Sequence, residues 1–261
     1  MSESYDTQSS VQYGQDLDYY INGLGIFNDA TTPNTLLDIF PGSCLDSTGT
    51  FQFNSNVTLV INAAVNGLNG LDTGTFAAAT VYGVYVVWDA VHNKIAGAML
   101  SKSYTQPLLP SGYGQFLLIG YATTAAGSAV FLKGYWSAGN ASARTFTYDA
   151  FLVTAVTAGT STSYANVNLI AMVPNVPNTP VQIYTSFVPA TAGDTLSLQA
   201  GNATGAQAIV TGQVAAIHVT TIDTILAQPV TISSVVSPVV NYKLSAAGVV
   251  AVDVAGYQWF V

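Results

Sequence analysis

From Tyr19 onward the chain is a succession of short apolar runs, rich in Val, Ile, Thr, Tyr and Phe, cut by polar residues. Examples are Tyr20 to Phe27, Leu36 to Phe40, Val57 to Ala64, Val81 to Trp88, Phe116 to Tyr121, Thr145 to Val156, Val181 to Val188, Ala206 to Val219 and Val249 to Val261. Runs of this length bounded by Asn, Asp, Gly, Pro and Ser predict strands. Strict alternation in Val57-Thr-Leu-Val-Ile-Asn62 and Val249-Val-Ala-Val-Asp-Val254 predicts one buried and one polar face for each. Asn28-Asp29, Pro41-Gly42, Asn66-Gly67, Asn69-Gly70 and Ser111-Gly112 supply the turn chemistry between runs. His92-Asn93-Lys94 reads as a hairpin tip. No stretch carries a capped helical period, although one short helical turn is expected near Ile222 to Ala227. Many short strands at roughly ten-residue spacing predict an all-β sandwich or barrel.

Residues 1–18 break this pattern. They hold four acids (Glu3, Asp6, Asp16, Asp18), no cation and no period, which predicts an extended N-terminal arm that orders, if at all, against a neighbouring subunit. The β-sandwich then occupies 19–261. Thr157 to Ser163 is the most linker-like stretch within it, and a division into two lobes would fall near 157–163. Composition does not change across that stretch, which favours one continuous fold.

Half of the 261 residues are hydrophobic, which supplies a large core and excludes disorder. Charged residues are only 7% of the chain, and five Lys and Arg against 13 Asp and Glu leave a net charge of −8. Five scattered cations cannot build the basic face that duplex nucleic acid requires. A single cysteine, Cys44, excludes an internal disulfide and a thiolate zinc cluster. The absence of an 18-residue apolar run and of a signal peptide predicts a soluble chain made in a cytoplasm, without a membrane partner. A surface that avoids Lys and Glu suits extensive protein contact rather than a lone monomer. An assembly component is the expectation, with a neutral-surfaced secreted-type β protein as the alternative.

Candidate chemistry is sparse. Asp72-Thr73-Gly74 matches the catalytic loop of aspartic proteases, yet there is no second copy and turn residues precede it, so a structural turn is the stronger reading. His92 and His218 lack a Gly-x-Ser-x-Gly nucleophile elbow, which leaves them structural. Asp29, Asp38, Asp46, Asp149 and Asp253 lie beside turns or on polar strand faces and read as turn caps rather than as a glycosidase pair. Neither metal-ligand spacing nor a phosphate loop is present, so no metal and no cofactor are expected. Trp88, Trp136 and Trp259 sit in apolar runs and read as core. Tyr104, Tyr113, Tyr135 and Tyr164 lie nearer turns, where aromatic rings facing solvent can stack on sugars.

Ser101-Lys-Ser-Tyr-Thr-Gln-Pro-Leu-Leu-Pro-Ser-Gly-Tyr113, followed by Ile119-Gly120, resembles a segment that recurs in structural proteins of tailed bacteriophages. Gly23 to Asp29, Asp38 to Ser47, Leu71 to Gly74 and the Tyr82 to Trp88 run flank it in the matching order, so the resemblance covers about residues 20 to 136. That family often has Arg just before Ile-Gly; here Leu117 and Leu118 stand in those slots. The resemblance implies a jelly-roll-like domain in a virion protein, typically a homotrimer, serving as capsid decoration (cement), head fibre, or collar and tail fibre. It brings no catalytic residues. The expectation is therefore a non-enzymatic virion structural protein, synthesised in the host cytoplasm, whose partner is the major capsid protein or another virion protein. Subunit contacts are expected at Tyr5, Tyr13 and Tyr19 of the arm and at Pro107, Pro110 and Tyr113 of the loop. The alternatives are a head- or tail-fibre module that binds a host surface glycan, and a phage-borne hydrolase with two close carboxyls in a cleft.

Overall fold

The computed structural model describes residues 20–49, 52–89, 91–92, 94–137, 143–149, 153–176, 179–189, 195–200, 226–232, 238–246 and 248–260. Among them lie eighteen strands and no helix. In chain order these are β1 (Ile21–Gly23), β2 (Ile26–Asn28), β3 (Leu36–Ile39), β4 (Gly42–Leu45), β5 (Gln52–Ser55), β6 (Leu59–Asn62), β7 (Val81–Asp89), β8 (Lys94–Ser101), β9 (Phe116–Thr123), β10 (Gly134–Trp136), β11 (Ala143–Tyr148), β12 (Val153–Gly159), β13 (Ala165–Asn168), β14 (Thr179–Pro189), β15 (Leu196–Ala200), β16 (Leu226–Ile232), β17 (Val239–Leu244) and β18 (Gly248–Phe260). All of their pairings are antiparallel. A nine-stranded sheet runs β16-β14-β18-β11-β10-β2-β3-β6, with β12 also on β18, and three-stranded sheets β1-β4-β5, β8-β7-β9 and β13-β17-β15 complete the fold. The all-β sandwich is as expected. The division into one large and three small sheets differs from the paired sheets of an eight-stranded jelly roll.

One core joins these sheets. Tyr121 of β9 meets Trp259 of β18 edge-on at 5.6 Å, and Trp136 of β10 packs against Tyr257 and Phe146 at 5.5 Å each. All three tryptophans are buried, as the apolar runs imply. Edge-to-face pairs of this kind each add about 1 kcal/mol beyond their buried area. Gly120 of β9 lies directly beneath Trp136: a Cβ there would come within 2.8 Å of the indole. The Ile119-Gly120 pair is thus a packing requirement, with the indole Nε1 donating to the Tyr121 carbonyl at 2.7 Å.

Three local expectations are corrected by tertiary context. The Tyr20 to Phe27 run is not one strand: it turns at Gly23 and Leu24, whose φ angles are +72° and +50°, between β1 and β2. Val249 to Val254 does not keep a polar face. Asp253 is buried along with Val250, Val252 and Val254, because β18 lies inside the nine-stranded sheet with β14 on one side and β11 and β12 on the other. Leu226 and Ala227 enter β16 rather than a helical turn, since pairing with Thr185 and Tyr184 of β14 satisfies their backbone. The stretch Thr157 to Ser163 starts in the end of β12 and runs into a turn where Leu244 N donates to Ser161 O at 2.9 Å.

Candidate functional site

The segment that carries the family resemblance forms the connection between β8 and β9, and its polar residues account for its shape. Residues 70 to 72 lie beside the end of β8, with Asp72 N donating to Leu100 O at 2.8 Å. The Asp72 carboxylate is thereby placed under the loop, where it accepts from Ser101 Oγ at 2.6 Å and from the Leu108 amide at 3.1 Å. Ser101 Oγ accepts from Ser103 N, and Ser103 Oγ accepts from Gln106 N. The Tyr85 hydroxyl donates to Ser103 O at 2.9 Å. A turn closes the loop through Tyr113 N and Pro110 O, and Gly112 holds the positive φ (+92°) that its third position requires.

These contacts give Asp72-Thr73-Gly74 a structural role, since its carboxylate fastens the loop. They also locate the expected contact residues. Pro107 is buried within the chain, Pro110 and Tyr113 are half-buried, and Leu108 projects outward at 64% exposure. Leu108 was not among the expected contacts, although a leucine between two prolines in a loop is a legible signal. Tyr5, Tyr13 and Tyr19 lie outside the described residues, as does His218. His92 occupies the turn between β7 and β8, its Nδ1 2.6 Å from Asp89 Oδ2. The imidazole and two backbone amides hold the Asp89 carboxyl below the usual carboxylate range.

A second constellation lies at the end of the large sheet where β2 stops, β10 starts and β11 stops. It is an open cleft of about 270 Å³ lined by Phe27, Asn28, Asp29, Lys133, Tyr135 and Asp149, with Ala30, Pro33 and Gly134 between them. Tyr135 pairs with Phe27 across the strands, and their rings lie 6.2 Å apart and nearly parallel. Phe40 stacks on Phe27 at 4.5 Å. Phe40 and Tyr135 are 46% and 41% exposed. Asp38 stands opposite Phe27 on β3, and partial burial together with the nearby Asp29 charge pushes its carboxyl up.

The scaffold under this cleft is rigid. Asn28 Nδ2 donates to Pro33 O and its Oδ1 accepts from Gly134 N, both at 2.9 Å. Asp29 Oδ1 accepts from the Thr31 and Thr32 amides. A side chain at Gly134 would meet Phe146 at 2.5 Å. Of the four tyrosines expected near solvent, Tyr135 and Tyr164 are exposed, whereas Tyr104 packs edge-on against Tyr121 at 5.1 Å. Phe27 was missed as a surface ring because its run reads as core. Its two-residue spacing from Asp29, opposite the buried Ile26, is the signal that places both on one face.

No protein-family model matches the sequence, and no curated protein matches it. Among solved structures, one described as the structure of infectious bursal disease virus Gx strain is similar at 14% identity over 92% of this chain and 69% of that chain, with a TM-score of 0.18. At that level the overlap assigns neither fold nor function.

Proposed function

We propose that this chain is a non-enzymatic structural protein of a tailed-phage virion, a decoration or cement protein that works as a homotrimer on the major capsid protein or a neighbouring virion protein. One observation carries the reading: the Ser101 to Tyr113 loop is fastened by Asp72, Ser101, Ser103 and Tyr85, yet presents Leu108 at 64% exposure. A loop ordered before docking loses little conformational freedom on docking, so an apolar tip on a rigid stem is efficient contact chemistry. The charge-poor composition supports it, because interface cores are depleted in charge. A protein that binds only the assembled shell stabilises it by mass action. The fibre-type alternative, a module that holds a host surface glycan, is favoured by a separate observation, the aromatic cleft beside Tyr135.

Light scattering behind a sizing column, followed by co-sedimentation with capsids, tests the first reading. The expected mass is three times the 27.1-kDa chain. Leu108→Asp and removal of residues 1–18 are each expected to leave the circular dichroism spectrum unchanged and to weaken trimer or capsid contact. A monomer that ignores capsids, or full attachment by both variants, overturns it.

A further inference from the structure

We infer that the cleft at the β2–β10–β11 end is a binding site for one hexose unit of a neutral glycan. The inference deepens the glycan-holding reading and rests on the cleft alone, wherever in a particle the chain sits. Three properties of the site converge on that ligand. Its wall is aromatic, with Phe27 and Tyr135 side by side and Tyr135 well exposed. The C–H face of a pyranose ring is apolar and packs on such a ring, while its equatorial hydroxyls point sideways to polar neighbours.

The rim supplies those neighbours. Asp29 Oδ2, the Asp149 carboxylate, the Lys133 ammonium and the Tyr135 hydroxyl make no side-chain hydrogen bond or ion pair with any described residue, although all four side chains line one cleft. Carboxylate acceptors and an ammonium donor suit vicinal hydroxyls, and such charge-assisted bonds are the strong ones. The inner layer is already committed: Asn28 and Asp29 Oδ1 spend their bonds on Pro33, Gly134, Thr31 and Thr32. The unspent groups therefore sit on a fixed base, which lowers the entropy lost on binding.

Size and charge narrow the class. At about 270 Å³ the cleft falls below the range of roughly 300–1,000 Å³ that drug-sized ligands fill, which suits one sugar ring and not a nucleotide cofactor. Two carboxylates line it against one ammonium, with Asp38 close by, so acidic sugars and phosphates are repelled and neutral hexoses are admitted.

The test is titration of the full chain with maltohexaose, laminarihexaose, mannohexaose and N-acetylchitohexaose, read by saturation-transfer NMR and calorimetry. Saturable binding of at least one is expected, with Tyr135→Ala and Asp149→Asn each weakening it roughly tenfold. Tyr164→Ala, at an exposed tyrosine outside the cleft, should bind as the parent does, and polysialic acid should not compete. Absence of saturable binding to all four sugars overturns the inference, as does binding that both cleft variants leave intact. Release of reducing ends that Asp149→Asn abolishes would make the cleft hydrolytic and overturn it too. Self-association that Tyr135→Ala removes, without sugar binding, would give the face to a second copy. None of these results alters the expected behaviour of Leu108→Asp, so the two proposals fail separately.

Discussion

Arg144 shows most clearly how a single residue organises this fold. Its guanidinium is 1% exposed and donates to the Ile119 carbonyl, to Leu24 O at 2.8 Å and to Gly23 O at 3.4 Å. It lies 5.9 Å from the Trp136 ring. The left-handed turn at Gly23 and Leu24 aims two carbonyls inward, and the planar fork of Arg collects them together with one from β9. Burial pushes the guanidinium down to about 10, and the same desolvation pushes the adjacent Cys44 thiol up to about 12. The family resemblance places an Arg just before Ile-Gly in sequence. Here an Arg from β11 reaches the Ile119 carbonyl through space, a substitution of position that no linear motif reveals. Arg144→Met would orphan three carbonyls and is expected to cost on the order of 3 kcal/mol in denaturant unfolding. Arg144→Lys should recover only part of that, because an ammonium cannot span the three acceptors.

At the scale of elements, the β8–β9 connection depends on a carboxylate from a different part of the chain. Asp72 reaches it because Leu71 forms a bridge with Leu100 at the end of β8. Asp72→Ala removes the acceptor for Ser101 Oγ and for the Leu108 amide. The expected outcome is a loss of about 1–3 kcal/mol, faster hydrogen exchange at Leu108 and proteolytic nicking between 103 and 112, with the strands intact. Unchanged exchange at Leu108 would show that the prolines alone hold the loop. In the sequence, the Asp-Thr-Gly match competes with a turn reading. The structure decides between them by what the carboxylate touches, a contact across 36 residues that local pattern does not encode.

The whole molecule has an alkaline limit set by its buried phenols. Burial is the main cause that pushes up Tyr82, Tyr85, Tyr104, Tyr121, Tyr148 and Tyr257, with Tyr104 at about 12. In the unfolded chain these phenols ionise near pH ~10. Above that pH the unfolded state has released protons that the folded state keeps, so stability that is fully present below pH ~10 is lost as pH rises. Cys44 acts in the same direction, from its ordinary 9.0 up to about 12. Arg144 acts in the opposite direction, because its folded value of about 10 lies below the ordinary 12.5 and its burial cost is relieved as pH passes the lower value. Six phenols and a thiol outweigh one guanidinium. The unfolding temperature is expected to fall steeply from about pH 10 to 12, with phenolate absorbance appearing together with unfolding. A midpoint that rises across that window would contradict this account.

Much of the architecture was written in the chain order of residues. Apolar runs with β-branched and aromatic residues, punctuated by Asn, Gly and Pro, determined an all-β fold, the hairpin at His92 and the burial of Trp88, Trp136 and Trp259, because these depend on local propensity and on total apolar content. The candidate sites were legible only in fragments. Tyr135 was visible as a tyrosine near a turn, and Asp29 and Asp149 as turn residues, but their convergence in one cleft depends on β2 and β11 flanking β10. The burial of both faces of β18, the outward placement of Leu108 and the service of Arg144 to Ile119 were likewise decided in three dimensions. Period-2 patterning reports which side of a strand a residue takes. Only the packing of sheets determines whether water, another sheet or a distant side chain lies on that side.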